Sequence, residues 1–114
     1  MTHARLHVGT TGEEQATQWY RSAGYRVVAR NWRCRNGELD LIVERAGELV
    51  FCEVKTRSSA RFGSGLEAVT AVKARKVRQL AAAWMAAHPG GGRRVRFDVV
   101  GVTAGRVEVA EGSF

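Results

Sequence analysis

The chain has 114 residues, 45% of them hydrophobic, which suits one compact domain spanning residues 1–114 with a loose, polar tail at residues 1–8. Its formal net charge of +7 predicts an affinity for polyanions, but charge alone does not separate nucleic acid from an acidic protein partner. We expect no membrane span and no signal peptide, and therefore a cytoplasmic protein. Cys34 and Cys52 lack metal-ligand spacing, which argues against a disulfide framework or a zinc module.

The first half of the chain predicts a helix followed by three strands. Thr11 and Glu14 have the spacing of a capping box, and Gly24 is a typical helix terminator. Residues 25–30 form the first predicted strand. Residues 38–44 and 48–55 form a predicted hairpin around Ala46-Gly47, where glycine can adopt a positive φ.

The second half predicts a loop, a helix and a further hairpin. Residues 58–65 are small and polar, as in a mobile loop, and residues 66–87 have helical periodicity with Val69, Val72 and Val77 in the apolar stripe. Residues 95–102 and 106–109 form a predicted closing hairpin. The order α-β-β-β-α-β-β predicts a small α/β domain in which helices flank a mixed sheet.

Charged residues interrupt the apolar pattern of the first hairpin. Side chains alternate along a strand, so Glu53 and Lys55 share one face. A two-residue turn at Ala46-Gly47 would place Asp40 opposite Glu53 and Glu38 opposite Lys55. Two carboxylates this close repel one another unless one takes up a proton or both share a cation, and Mg²⁺ prefers such ligands. The alternative is a surface ion pair on an edge strand, with Asp40 paired to an arginine.

The chemistry that fits these residues is phosphodiester hydrolysis. Asp40 and Glu53 would hold a divalent ion, Lys55 would orient water and stabilise developing charge, and Glu13 could support the metal. Glu13 also suits the helix dipole, which is its alternative role. Basic residues that could contact phosphate follow the site in the chain: Arg57, Lys73, Arg75, Lys76 and Arg78. They could equally form a solvated face. Glycoside hydrolysis, which also uses two carboxylates, does not require the lysine or the basic surface.

The same residues carry a resemblance to a known family. Asp40 followed by Glu53-Val54-Lys55 resembles the D…(D/E)xK signature of the restriction-endonuclease-like superfamily. The chain more specifically resembles the YraN family of small bacterial proteins, which are similar to archaeal Holliday junction resolvases. The matching stretches, spread over nearly the whole chain, are residues 9–13, 24–25, 31–33, 37–42, 50–57, 62–63 and 96–99, with Ala16 and Lys73. The residue before Asp40 is Leu39, where the superfamily motif nominally has proline.

The resemblance implies a restriction-endonuclease-like sheet flanked by helices. It implies catalytic roles for Glu13, Asp40, Glu53 and Lys55, with the three carboxylates binding one or two Mg²⁺ or Mn²⁺ ions. It also implies a branched or structured DNA substrate, and symmetric junction cleavage would favour a homodimer. Two alternatives remain open: a nucleic-acid-binding module that keeps the fold without catalysis, and an adaptor whose positive charge meets an acidic protein.

Overall fold

The computed structural model describes residues 11–57, 69–91 and 93–114. These residues contain two helices and five strands. In chain order they are α1 (Gly12–Ser22), β1 (Arg26–Cys34), β2 (Gly37–Arg45), β3 (Glu48–Arg57), α2 (Ala71–Ala87), β4 (Arg94–Thr103) and β5 (Arg106–Ala110). This order confirms the predicted α/β class. The predicted tail at residues 1–8 and the predicted loop at 58–65 lie outside the described residues.

The five strands form one mixed sheet in the order β1-β2-β3-β4-β5. Neighbouring strands are antiparallel except β3 and β4, which are parallel and are connected through α2. The two helices pack on opposite faces. The α1-side core consists of Ala16, Tyr20, Tyr25, Leu41, Val43, Val50, Cys52, Val100 and Val102. The α2-side core consists of Leu39, Ile42, Leu49, Phe51, Val77, Leu80, Ala81, Trp84 and Phe97.

Local sequence signals explain where α1 and the first hairpin turn begin and end. The Thr11 hydroxyl accepts a hydrogen bond from the Glu14 N–H at 3.0 Å, as expected of an N-cap. Gly24, with φ of +90°, follows the helix in the left-handed region that glycine tolerates. In the β2–β3 turn Ala46 and Gly47 both have positive φ, as a two-residue type I′ turn requires.

Three predicted features differ from the structure. The helix predicted from Leu66 begins at Ala71, because Thr70 is its N-cap and accepts from the Lys73 N–H at 3.1 Å; residues 66–68 are outside the described part. Val72, predicted to face the core, is 73% exposed. β1 continues four residues beyond the predicted end at residue 30, to Cys34. Within the described residues, no helix is both long and apolar enough to span a bilayer.

Candidate active site

The pairing of β2 with β3 ends where the candidate carboxylates begin. The ladder runs from Arg45–Glu48 at the turn to Leu41–Cys52, which confirms the predicted register over that stretch. Beyond it, Asp40 Oδ2 accepts a hydrogen bond from the Val54 backbone N–H at 2.9 Å. The side chain of Asp40 thus takes the place of a backbone partner, and we call this divergence of the two strands the fork.

The prediction that Glu38 faces Lys55 is wrong. Glu38 Oε2 instead lies 3.3 Å from Arg33 Nε, across the β1–β2 pairing. The physical reason is the fork itself. The residues of β2 before Leu41 pair only with β1, and β2 pairs with β3 only from Leu41 to Arg45. The edge-strand alternative for Glu53 and Lys55 is also wrong, since β3 is the central strand of the sheet.

A local irregularity directs Asp40 towards β3. Asp40 falls between the β1–β2 pairs Arg30–Leu41 and Trp32–Leu39, opposite Asn31, whose φ of +50° is left-handed. Leu39 belongs to the α2-side core and Leu41 to the α1-side core, although residues two apart share a face in a regular strand. β2 therefore turns over at Asp40, and the carboxylate reaches across the fork instead of entering either core.

The fold raises the proton affinity of the Asp40 carboxyl. Burial raises the pKa of Asp40 to about 6; the Val54 N–H opposes this rise, the negative charges of Glu53 and Glu13 add to it, and Lys73 again opposes it. Asp40 is in β2 and Glu53 is in β3. Glu13 is in the first turn of α1, and Lys73 is in the first turn of α2. Charges from four elements of the fold thus lie within electrostatic reach of the Asp40 carboxyl.

The first turns of both helices lie beside the second half of β3, near the fork. Gly12 packs so tightly against β3 that a Cβ atom there would lie 1.8 Å from the Thr56 Oγ1. Lys73, in the first turn of α2, places its Nζ 3.3 Å from Glu53 Oε2. Helix N-termini carry partial positive charge, so both turns favour an anion near the fork.

Some of the predicted site residues lie at the fork, and others lie away from it. Glu13, Asp40, Glu53 and Lys73 are brought together as described, and Lys55 is half-buried two residues after Glu53 on the same strand. Arg57, also half-buried, is the last residue of β3.

The other basic residues of α2 do not all face the fork. Lys76 is exposed beside the start of β2, where its Cε would lie 3.4 Å from a Cβ on Gly37. Arg75 is exposed, and Arg78 stacks over the Phe97 ring at 4.5 Å and lines a separate surface cavity of about 440 Å³. The predicted phosphate-binding row is therefore split, with Lys73 and Lys76 on the side of the fork.

Two carboxylates at the fork have the chemistry of a hard divalent cation site. The Val54 N–H holds the Asp40 carboxylate in place, and Asp40 and Glu53 would be the protein ligands of such an ion. Mg²⁺ is commonly held by one or two carboxylates, with water and substrate phosphate completing the shell. Among the described residues no group of three or more His, Cys, Asp or Glu side chains could hold an ion. Asp40 and Glu53 are therefore the two protein carboxylates that could hold such an ion, and Glu13 adds its negative charge to theirs.

A buried ionic network behind the fork has no counterpart among the predicted site residues. Asp98 is fully buried and accepts from Arg96 through both oxygens at 2.8 Å, from the Tyr20 hydroxyl at 2.7 Å and from the Gly112 N–H at 3.0 Å. Asp98 pairs with Cys52 in the β3–β4 ladder, so β3 lies between it and Asp40 on β2. The sequence signal was an Arg-x-Asp alternation on an otherwise apolar strand.

Comparison with known proteins identifies the family of the chain, and the match covers most of its residues. The family model described as "Uncharacterised protein family UPF0102", the YraN family, matches residues 12–102. A UPF0102 protein of Frankia alni is 50% identical over 97% of both chains. One from Mycolicibacterium vanbaalenii is 48% identical over 96% of this chain and 91% of its own. One from Beutenbergia cavernae is 50% identical over 94% and 91%.

Proposed function

The chain belongs to the uncharacterised protein family UPF0102, and from the geometry of its site we propose that it is a metal-dependent nucleic-acid phosphodiesterase. The observation that carries the proposal is the fork, where the Asp40 carboxyl spans two diverging strands within electrostatic reach of Glu53 and Glu13. Carboxylates that raise one another's proton affinity are relieved of their repulsion by taking up a proton or by sharing a cation, and we propose the cation here.

Each residue at the fork has a defined task in this proposal. Asp40 and Glu53 would hold a Mg²⁺ or Mn²⁺ ion, which when bound supplies positive charge that polarises a phosphodiester and acidifies nearby water. Lys55, two residues after Glu53 on the same strand face, would orient the attacking water and stabilise negative charge growing on the phosphate oxygens. Glu13 adds negative charge that strengthens cation binding.

The surroundings of the fork favour a polyanionic substrate. Lys73 and Lys76 lie on its side of α2, and the first turns of both helices present partial positive charge to it. The net charge of +7 acts in the same direction at longer range. Together with the resemblance to junction resolvases, these features lead us to propose a DNA endonuclease for branched or structured DNA, acting in the cytoplasm.

The direct test is a cleavage panel of single-stranded, duplex, flap and four-way-junction DNA, with an RNA duplex added, in Mg²⁺, Mn²⁺ or EDTA. We expect metal-dependent cleavage by the wild type, with the highest rate on a branched form, and a loss of at least a hundredfold in Lys55→Ala. Arg94→Ala, an exposed substitution at the opposite end of β4, is the matched control and should retain activity. No cleavage of any substrate, or full activity in Lys55→Ala, would reject the proposal.

Metal binding is tested separately by calorimetry with Mn²⁺ and no nucleic acid. Asp40→Asn and Glu53→Gln should each abolish measurable binding, because each removes one of two protein ligands. Glu38→Gln, on the same strand as Asp40 but paired with Arg33, should bind as the wild type does. Unchanged affinity in both site variants would place the ion elsewhere.

A second candidate is a nucleic-acid-binding module without turnover. The observation that favours it is the lack of a group of three or more His, Cys, Asp or Glu side chains that could hold an ion within residues 11–57, 69–91 and 93–114. Binding to DNA in EDTA with a steep dependence on salt, together with no cleavage in the panel, would select this candidate.

A further inference from the structure

Lys73 already occupies the position of a cation beside the candidate metal ligands. Its Nζ lies 3.3 Å from Glu53 Oε2, and it is among the charges that act on Asp40. The Glu53 side chain is only 15% exposed, whereas that of Lys73 is 50% exposed. The carboxylate is thus held in place by the sheet, while the ammonium approaches it from the solvent side.

The position of Lys73 in its helix is electrostatically unfavourable. It is the third residue of α2, and its N–H is the one that bonds the Thr70 cap. A helix N-terminus favours acidic side chains, yet the first turn of α2 has none. The interaction with Glu53 offsets this repulsion and stabilises Lys73 at the fork when no other cation is bound there.

We infer that Lys73 is a built-in substitute for the divalent ion, and that it changes partner when that ion binds. In the metal-free protein its ammonium neutralises Glu53. When a divalent ion occupies Asp40 and Glu53, the ammonium is displaced and contacts a phosphate of the bound nucleic acid. This inference rests on the proposed function, because it requires that a divalent ion bind the two carboxylates.

Electrostatics and side-chain reach both support the exchange. An ammonium and a divalent ion would compete for the Glu53 carboxylate and repel one another, so occupancy by one disfavours the other. Lys73 is half exposed and has a flexible four-carbon stem, so its Nζ can leave Glu53 without moving the helix. Displacement therefore turns a group that competes with the metal into one that binds the substrate.

The first experiment measures Mn²⁺ affinity by calorimetry without nucleic acid. Lys73→Ala should bind Mn²⁺ about fivefold more tightly than the wild type, since a competing positive charge is removed. Lys73→Arg keeps the charge and should stay within twofold of the wild type. Lys76→Ala is the matched control, because this exposed lysine of the same helix lies beside Gly37. It should also stay within twofold.

The second experiment measures DNA affinity in a Lys55→Ala background, so that cleavage does not consume the DNA. In EDTA, adding Lys73→Ala should change the dissociation constant by less than about twofold; in Mn²⁺ it should weaken binding about threefold and reduce the salt slope by about 1. Adding Lys76→Ala should weaken binding equally in both conditions. Circular dichroism and thermal unfolding establish that each variant is folded.

Each outcome decides between the alternatives. Unchanged Mn²⁺ affinity in Lys73→Ala would overturn the inference and leave the proposed function standing. An equal loss of DNA affinity with and without Mn²⁺ would also overturn it, since Lys73 would then be a constant phosphate contact. If the wild type binds no Mn²⁺ at all, both the inference and the proposed metal site are refuted.

Discussion

The raised pKa of Asp40 makes the stability of the metal-free protein depend on pH in a defined direction. Burial and the neighbouring charges raise the pKa of this carboxyl from 3.8 to about 6, so the folded state holds the proton more tightly than the unfolded chain. Above pH 6 the ionised Asp40 therefore costs stability, and below about pH 4 the cost is absent. Asp40→Asn should remove this cost, because the amide oxygen can still accept from the Val54 N–H.

The magnitude follows from the change in proton affinity. A rise of roughly two pKa units corresponds to about 3 kcal/mol at 1.36 kcal/mol per unit. Asp40 is only partly buried, so solvent screening reduces this, and we expect Asp40→Asn to raise the free energy of unfolding by about 1–2 kcal/mol at pH 7.5. For a domain of this size that is a rise in Tm of about 4–8 °C. At pH 4 the gain should fall to near zero.

The assay is thermal unfolding in EDTA at pH 4, 5, 6 and 7.5, for the wild type, Asp40→Asn and the control Glu38→Gln. Glu38 lies two residues away on β2 and pairs with Arg33 near the surface, so its variant should stay within about 0.5 kcal/mol of the wild type. Saturating Mn²⁺ should reverse the order, because only the wild type gains binding free energy. A variant that is no more stable at pH 7.5, or equally stabilised at every pH, would refute the reasoning.

Two further predictions concern the packing around the site. Gly12→Ala should lower the cleavage rate and reduce the free energy of unfolding by about 1–2 kcal/mol, because its Cβ would clash with the Thr56 side chain. Adding Thr56→Ala should recover part of both losses, as measured by cleavage and unfolding assays. Asp98→Ala should cost about 3–5 kcal/mol in urea unfolding, because it removes the buried acceptor of Arg96, the Tyr20 hydroxyl and the Gly112 N–H, while Arg96 keeps its contact with Glu48. Glu111→Ala, 3.7 Å from Arg96 and exposed, should cost under about 0.5 kcal/mol. A small effect of Asp98→Ala would show that the network adds little stability.

Features set by neighbouring residues could be predicted from the sequence. The Thr11 cap, the type I′ turn at Ala46-Gly47 and the register it imposes as far as Leu41–Cys52 each depend on short-range backbone preferences. Extrapolating this register placed Asp40 opposite Glu53; the ladder ends one pair before them, and the two carboxyls lie within electrostatic reach of one another. Strand alternation and one turn therefore bring the two carboxylates close, whereas the approach of Glu13 and Lys73 depends on tertiary packing.

Features set by long-range packing could not be predicted. β2 turns over at Asp40, opposite the left-handed Asn31 of β1, and no local pattern indicates where two strands will part. The Tyr20–Asp98 hydrogen bond joins residues 78 apart in sequence. Val72 fits the apolar stripe by spacing, yet it lies in the first turn of α2, beyond the part of the helix that covers the sheet. Periodicity specifies a helix face but not how far the sheet extends beneath it.

The order of the strands has a consequence for how the site is assembled during folding. β1, β2 and β3 are consecutive in the chain and antiparallel, so Asp40 and Glu53 can meet through short loop closures. The parallel β3–β4 pairing, and with it α2, requires closure of the much longer connection that contains Lys73. We therefore expect the carboxylates to come together before the lysine reaches them. Pulse-labelled hydrogen exchange should show protection in β2 and β3 before β4, and simultaneous protection would contradict this order.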